Sequence, residues 1–357
     1  MNARWLVLPL VAAACSGSGS TPQVEAQIAG RTDMLEAAAA TITAEQMRSR
    51  IAYLASDELG GRDTPSPGLE LAAEYLAREF EAAGLEPVAG GEGFIHRYPL
   101  EMRARDPAAP AALREAGVRA PNVVALLRGS DPVLRETYVV FSAHMDHVGI
   151  GAPDASGDSI FNGADDDASG TSALVEVAEA FAALPERPAR SLIFLAVSGE
   201  EKGLLGSRHF ANHPPVPIQS IVADINLDMI GRNSPDSIAA VGLDYSSLGA
   251  LAQEVARAHA DELRLTVAPD LWPEERLFFR SDHFNFAAKE IPAIFFFAGL
   301  HEDYHRPSDE VEKLDAEKAA RVARLVFYLG HRIATDPEAP RWTEQGLAEV
   351  RALTGGR

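Results

Sequence analysis

The chain has 357 residues, 46% hydrophobic and 24% charged, with 28 Gly and 23 Pro, which is ordinary globular usage and excludes disordered, collagen-like and polytopic membrane classes. Thirty-two Lys and Arg against 52 Asp and Glu leave a formal net charge of -20, so a nucleic-acid backbone would be repelled at most surfaces and no nucleic-acid partner is expected. The single Cys excludes an internal disulfide framework and any Cys-rich zinc site.

In chain order, residues 1–15 predict an export signal: one Arg by position 4, the apolar run Trp5 to Ala14, and small residues before Cys15. The run is too short for a bilayer span, and no later stretch reaches the roughly 20 apolar residues a span requires. The segment is similar to a bacterial lipoprotein signal, in which Cys15 would carry a lipid anchor. It departs by having Ala12 where Leu is usual, so plain secretion is the alternative to a periplasmic or envelope-anchored chain. Residues 16–41, opening with Ser16-Gly17-Ser18-Gly19-Ser20, read as a flexible tether.

Residues 42–86 read as helical around a Gly/Pro loop at 58–68, with a start signal at Thr43 to Gln46 and apolar spacing through Leu69, Ala72, Leu76 and Phe80. From 123 onward, β-type runs at 123–127, 138–142, 191–197, 221–227 and 291–297 alternate with helical patterns at 169–183, 203–211, 246–260 and 314–334. Strands without polar alternation, followed by helices, predict an α/β fold: a mixed, mostly parallel central sheet covered by helices on both faces, forming one domain over 42–335. Residues 336–357 read as a tail with one weak amphipathic helix.

The polar groups gather where ligands bind such a sheet, at the carboxyl ends of its strands. One strand leads into His144-Met145-Asp146-His147, another into Glu200-Glu201, a third into Asp228, and a fourth reaches Tyr304-His305. Between the first two, Asp165-Asp166-Asp167 packs three carboxylates into one loop, a repulsion that a divalent cation would relieve. Taken singly each group has a bland reading: a surface turn, a helix-start Glu pair, a capping cluster or weak Ca²⁺ loop with Asp154 and Asp158, a core His. Together they predict a metal site.

His144-Met-Asp146, Gly163-Ala-Asp-Asp-Asp-Ala-Ser-Gly170, Gly199-Glu-Glu201, Asn226-Leu-Asp228-Met-Ile-Gly231 and Tyr304-His305-Arg-Pro-Ser-Asp309 resemble the signature of the M28 family of zinc metallopeptidases, di-zinc aminopeptidases with a phosphorylase/hydrolase-like fold. The resemblance runs from about residue 48 to about 334. It implies that Asp166 bridges two zinc ions, that Glu201 and His305 complete one site and His144 and Asp228 the other. Asp146 would orient His144, Glu200 would be the general base, and Tyr304 would either hydrogen-bond the developing oxyanion, as in some relatives, or serve as a packed aromatic. Imidazoles and carboxylates without thiolates suit Zn²⁺ independently, with Mn²⁺ or Co²⁺ as substitutes.

The implied substrates are peptides with a free N-terminus, whose ammonium group the carboxylate-rich rim would favour. A carboxypeptidase would need a cation such as Arg232 or Arg280, and a single-zinc glutaminyl cyclase-like acyltransferase on a related fold is a further alternative. Trp272, Phe278, Phe279, Phe284 and Phe286 are candidates to line an apolar side-chain pocket. The other histidines, at 96, 147, 209, 213, 259, 283, 301 and 331, read as structural or surface.

Overall fold

Apolar runs without polar alternation become strands buried on both faces, and amphipathic runs become helices laid over them. The computed structural model describes residues 22–100 and 117–355, so Cys15 and the predicted signal lie outside the described residues. The elements are α1 (Pro22–Ala39), α2 (Ala44–Leu54), α3 (Pro67–Ala82), β1 (Glu86–Pro87), β2 (Ile95–Pro99), β3 (Arg119–Leu127), β4 (Tyr138–His144), β5 (Gly149–Ile150), β6 (Ile160–Phe161), α4 (Gly170–Ala182) and β7 (Ser191–Val197). There follow α5 (Leu205–Asn212), β8 (Ile221–Leu227), β9 (Ser237–Val241), α6 (Ser247–Ala258), α7 (Ala260–Leu263), β10 (Thr266–Ala268), α8 (His283–Ala287), β11 (Ala293–Phe297), α9 (Ala316–Thr335) and α10 (Glu344–Thr354).

The main sheet runs β1-β3-β7-β4-β8-β11-β9-β10, with β2 also on β3. Its centre, β7-β4-β8-β11, is parallel, while β3 on one side and β9 on the other run antiparallel to their inner neighbours. Every residue of β4 and of β7 is buried. Alternate side chains serve opposite faces: Val139, Phe141, Leu192 and Phe194 join the core beneath α2, α3, α4 and α9, while Val140, Ile193 and Leu195 meet Phe210 of α5 and Phe286 of α8. Burial of such a side chain stabilises the fold by roughly 1.5–3 kcal/mol, so these strands cannot slip by one residue without exposing one core or the other. The expected mixed, mostly parallel α/β sheet is therefore present.

Thr43 caps α2 by accepting from the Gln46 amide, and Ser66 caps α3 by accepting from Leu69, each bond worth about 1 kcal/mol. One expectation needs correction. The stretch read as a flexible tether is helical from Pro22 to Ala39, with Ala38 and Ala39 buried in the main core; the Ser/Gly run ends before this segment, and its apolar end finds a surface. The C-terminal tail carries the expected helix, α10, and is docked: Trp342 pairs with Ser246, its indole N–H donates to the Glu290 carbonyl at 2.7 Å, and Val350 of α10 is buried. Among the described residues no helix is long and apolar enough to cross a membrane.

Candidate metal centre

Parallel strands end on one rim, and four of them deliver the polar residues there. His144 is the last residue of β4, Glu200 and Glu201 follow β7, Asp228 follows β8, and the chain after β11 returns with Tyr304 and His305. Opposite them lies the loop 163–169, which enters α4.

The three aspartates of that loop have divided roles. Asp167 Oδ2 accepts from the His144 amide at 3.2 Å, and its Oδ1 accepts from Gly170 at 2.9 Å and Met229 at 3.1 Å, so it ties three rim segments together. Asp165 Oδ1 accepts from the Gly231 amide at 2.7 Å. Asp309 in turn accepts from the amides of Asp165 and Asp166 through one oxygen, at 3.0 and 3.2 Å. Only Asp166 turns its carboxylate to the centre, so the crowding inferred from the sequence is relieved in part by backbone amides. Two glycines make this packing possible: a Cβ at Gly170 would lie 2.4 Å from Asp167 Oδ1, and Gly163 has φ +58° with a Cβ that would meet the Asp166 carbonyl at 2.2 Å.

Each Asp166 oxygen faces a different donor group. Oδ1 is 3.3 Å from His144 Nε2, which is 3.6 Å from Asp228 Oδ1. Oδ2 is 3.1 Å from His305 Nε2, itself 3.1 Å from Glu201 Oε2. These spacings approach the roughly 3.3 Å separation of donors about 2.0–2.1 Å from a shared tetrahedral zinc. The sets His144, Asp166, Asp228 and His147, Asp166, Glu201, His305 each place one donor atom per residue within 4.8 Å of the others. Asp166 Oδ2 and Glu201 Oε1 are buried without a hydrogen-bond partner, the condition of atoms that fit a cation.

Charge follows the same division. Burial pushes the Asp166 carboxyl up, but His147, His144 and His305 outweigh it and hold the group well below the usual carboxylate range. Burial lowers the His305 imidazole while Asp166 and Glu201 raise it, and the carboxylates prevail to put it at about 10. Glu200 is the exception: burial, reinforced by Asp282, Glu201 and Asp228 against the pull of His144, pushes its carboxyl well above the usual range.

Around this cluster a small cavity opens, lined by the polar His144, Asp166, Glu200, Asp228 and Tyr304 and by the apolar Met229, Leu277, Phe295, Phe297 and Leu300. Tyr304 stacks on His305 with ring centroids 3.9 Å apart. The aromatic loop proposed as a pocket lies behind this wall instead: Phe278 and Phe286 are buried, and Trp272 packs edge-on against Phe297. Arg232 is bound to Asp303 at 2.8 Å, and Arg280, at the cavity edge, pairs with Glu275 at 2.9 Å.

The sequence profile of peptidase family M28 matches residues 122–330, more than half of the chain. The chain belongs to peptidase family M28. Among relatives of this M28 chain, a probable zinc metalloprotease of Pyrenophora teres f. teres is 31% identical over 205 residues, covering 55% of this chain and 40% of that protein. Aminopeptidase YwaD of Bacillus subtilis is 28% identical over 176 residues, 46% of this chain and 36% of that one. The M28 chain thus spans well under two thirds of these relatives. The zinc aminopeptidase BSAP of Bacillus subtilis superposes with a TM-score of 0.63 at 16% identity, over 84% of this chain and 97% of that one, and LapA aminopeptidase of Legionella pneumophila with 0.64 at 19%, over 86% and 76%. Both share the fold.

In the M28 chain, three further residues support the rim, and one expected contact takes a different form. His144 Nδ1 lies 3.1 Å from the Asp146 backbone carbonyl and 3.8 Å from its carboxylate. That carboxylate accepts from the Thr64 hydroxyl at 2.9 Å and the Glu200 amide at 3.3 Å. Asp146 thus orients His144 through its main chain and Glu200 through its side chain. Arg62, buried, donates to the carbonyls of Leu54, Met145, Asn162 and Gly163 and so joins the leading loop to the segments that carry His144 and Asp166. Asp154, weighed as part of a Ca²⁺ loop, closes its own exposed turn by accepting from Ser156 and Asp158. His147, read from the sequence as structural or surface, is buried inside the second donor group, with Nδ1 2.8 Å from Glu201 Oε1 and 3.7 Å from Asp166 Oδ2. The signal available for it was its place three residues after His144 in the same strand-end loop.

Proposed function

We propose that this chain is a di-zinc aminopeptidase that hydrolyses the first peptide bond of peptides with a free amine. The observation that carries the reading is the carboxylate of Asp166, with each oxygen facing a separate set of imidazole and carboxylate donors. The residues present fit two zinc ions: His144, Asp166 and Asp228 would hold one, and Asp166, Glu201 and His305 the other. When bound, the pair would lower the pKa of water and polarise the scissile carbonyl.

The chain's own groups supply the remainder. Glu200, on the cavity wall with a carboxyl raised by burial, takes a proton from the attacking water and returns it to the departing amine. Its amide, held by Asp146, sets its position. Tyr304 faces the same cavity and donates a hydrogen bond from its phenol to the carbonyl oxygen as charge develops there. The carboxylates of Glu200 and Asp228 draw the substrate's ammonium group, and Leu277, Phe295, Phe297 and Leu300 take an apolar first side chain. We also propose that residues 1–15 direct export, with Cys15 as lipid anchor; intact-mass analysis of the mature N-terminus distinguishes acylated Cys15 from a plain cleavage product.

The test is metal content measured alongside a panel of aminoacyl chromogenic substrates, free and blocked at the amine. Two zinc ions per chain and hydrolysis of the free-amine substrates alone are expected. Activity confined to blocked substrates, or cyclisation of N-terminal glutamine without hydrolysis, would overturn the reading.

A further inference from the structure

His147 is fully buried, yet neither ring nitrogen makes a hydrogen bond. An unpaired buried polar group costs on the order of 1–3 kcal/mol, so a bland packing role leaves the ring unexplained. The nearest polar atoms belong to the donor group: Glu201 Oε1 at 2.8 Å, without the alignment of a hydrogen bond, and Asp166 Oδ2 at 3.7 Å. All three atoms are therefore orphaned around one point. The imidazole of His305 approaches that point from another side, its ring 5.5 Å from that of His147 and inclined at 73°. Gly163 clears the space, since a Cβ there would come within 2.6 Å of the His147 ring.

We infer that His147 Nδ1 is a fourth protein ligand of the zinc ion held by Asp166, Glu201 and His305. This rests on the metal-centre reading above and adds to it an asymmetry between the sites. Four protein donors on the His147 side against three on the His144 side would make the former ion the more completely held by protein and the tighter of the two, while the latter lies beside Glu200 and the cavity.

The experiment combines zinc-edge X-ray absorption of the full chain loaded with one equivalent of zinc and chelator competition that resolves the two binding constants, for wild type, His147→Ala and His147→Asn. Two imidazoles on the first zinc in wild type, falling to one in His147→Asn, are expected. The tight constant should weaken by more than the roughly 10- to 100-fold that loss of an outer hydrogen-bond partner produces, and the second constant should move far less. One imidazole in wild type, or an unchanged imidazole count in His147→Asn, would overturn the assignment and leave His147 as an outer partner of Glu201. The wild-type spectrum decides this even if His147→Ala fails to fold. Failure of the underlying reading looks different: a wild-type chain that binds no zinc removes both, whereas a single zinc with two imidazoles that drop to one in His147→Asn removes the zinc pair and keeps His147.

Discussion

The two sides of Asp166 are built differently. On one, His144 closes β4 and is 1% exposed, and Asp228 Oδ2 accepts from Ser281 Oγ at 2.8 Å. Ser281 accepts in turn from Asn226 Nδ2 at 2.8 Å, and Ser142 Oγ lies 2.9 Å from both Asn226 Oδ1 and Asp224 Oδ1, so a buried polar chain runs back into the sheet. On the other side every ligand candidate but Asp166 lies in a connection after a strand, and His305, with φ 54°, has a side chain 36% exposed. Candidate donors on the first side are set by strand register, which cannot shift without disturbing the core. Those on the second depend on loop conformations held by contacts among themselves, with four candidate donors in place of three.

The largest break in this comparison is Asp166→Ala, which removes the one group common to both sides. Both zinc constants should collapse together and activity with them; a variant that retains two tightly held ions in chelator competition would place the bridge elsewhere. Glu200→Gln should keep both ions and lower kcat by roughly 10²- to 10⁴-fold, the usual share of a general base. An unchanged kcat would remove Glu200 from the reaction. Tyr304→Phe, if the phenol stabilises the oxyanion, should lower kcat by on the order of 10²-fold with little change in KM; a purely packing role predicts a loss of thermal stability with kcat intact.

Ser281→Ala sharpens the contrast between the sides. It deprives Asp228 of its donor and should weaken only the His144 side, by roughly 10- to 100-fold, leaving the other constant in place. The smallest effect concerns pH and the backing of that same side. His283 is buried against Phe278 and Phe295, and burial lowers its imidazole from 6.5 to about 3. Between those values the unfolded chain binds a proton that the folded chain refuses, so stability falls as pH drops through that window. His283→Phe should flatten this acid limb in denaturant melts; an identical limb in wild type and variant would assign acid sensitivity to other groups.

Much of the rim was legible because strand ends are local features. An apolar run that stops at His144, at Ser198 before Glu200, or at Asp228 declares its own direction and end, and a parallel sheet places such ends together. The pocket lining was misplaced because Phe278 and Phe286 have the same apolar signature whether they face a cavity or a core. The segment before residue 42 and the tail after 335 were read by composition, which does not reveal that Ala39 and Val350 meet a surface to bury against.

His147 marks the boundary most clearly. Its place three positions after His144 was the one signal available, but along an irregular loop no repeat sets the direction of its side chain, so its burial beside Glu201 was left to the fold. The amino-acid order alone determined which strands would be buried on both faces and which polar residues would stand at their carboxyl ends, because side-chain alternation is a property of a few neighbouring residues. The tertiary structure alone decided that Asp165 and Asp167 bond to backbone amides while Asp166 faces the donors, and that His147 joins Glu201 and His305. Those outcomes depend on which backbone amides and loops arrive from elsewhere in the chain, and that is settled by the order of strands in the sheet.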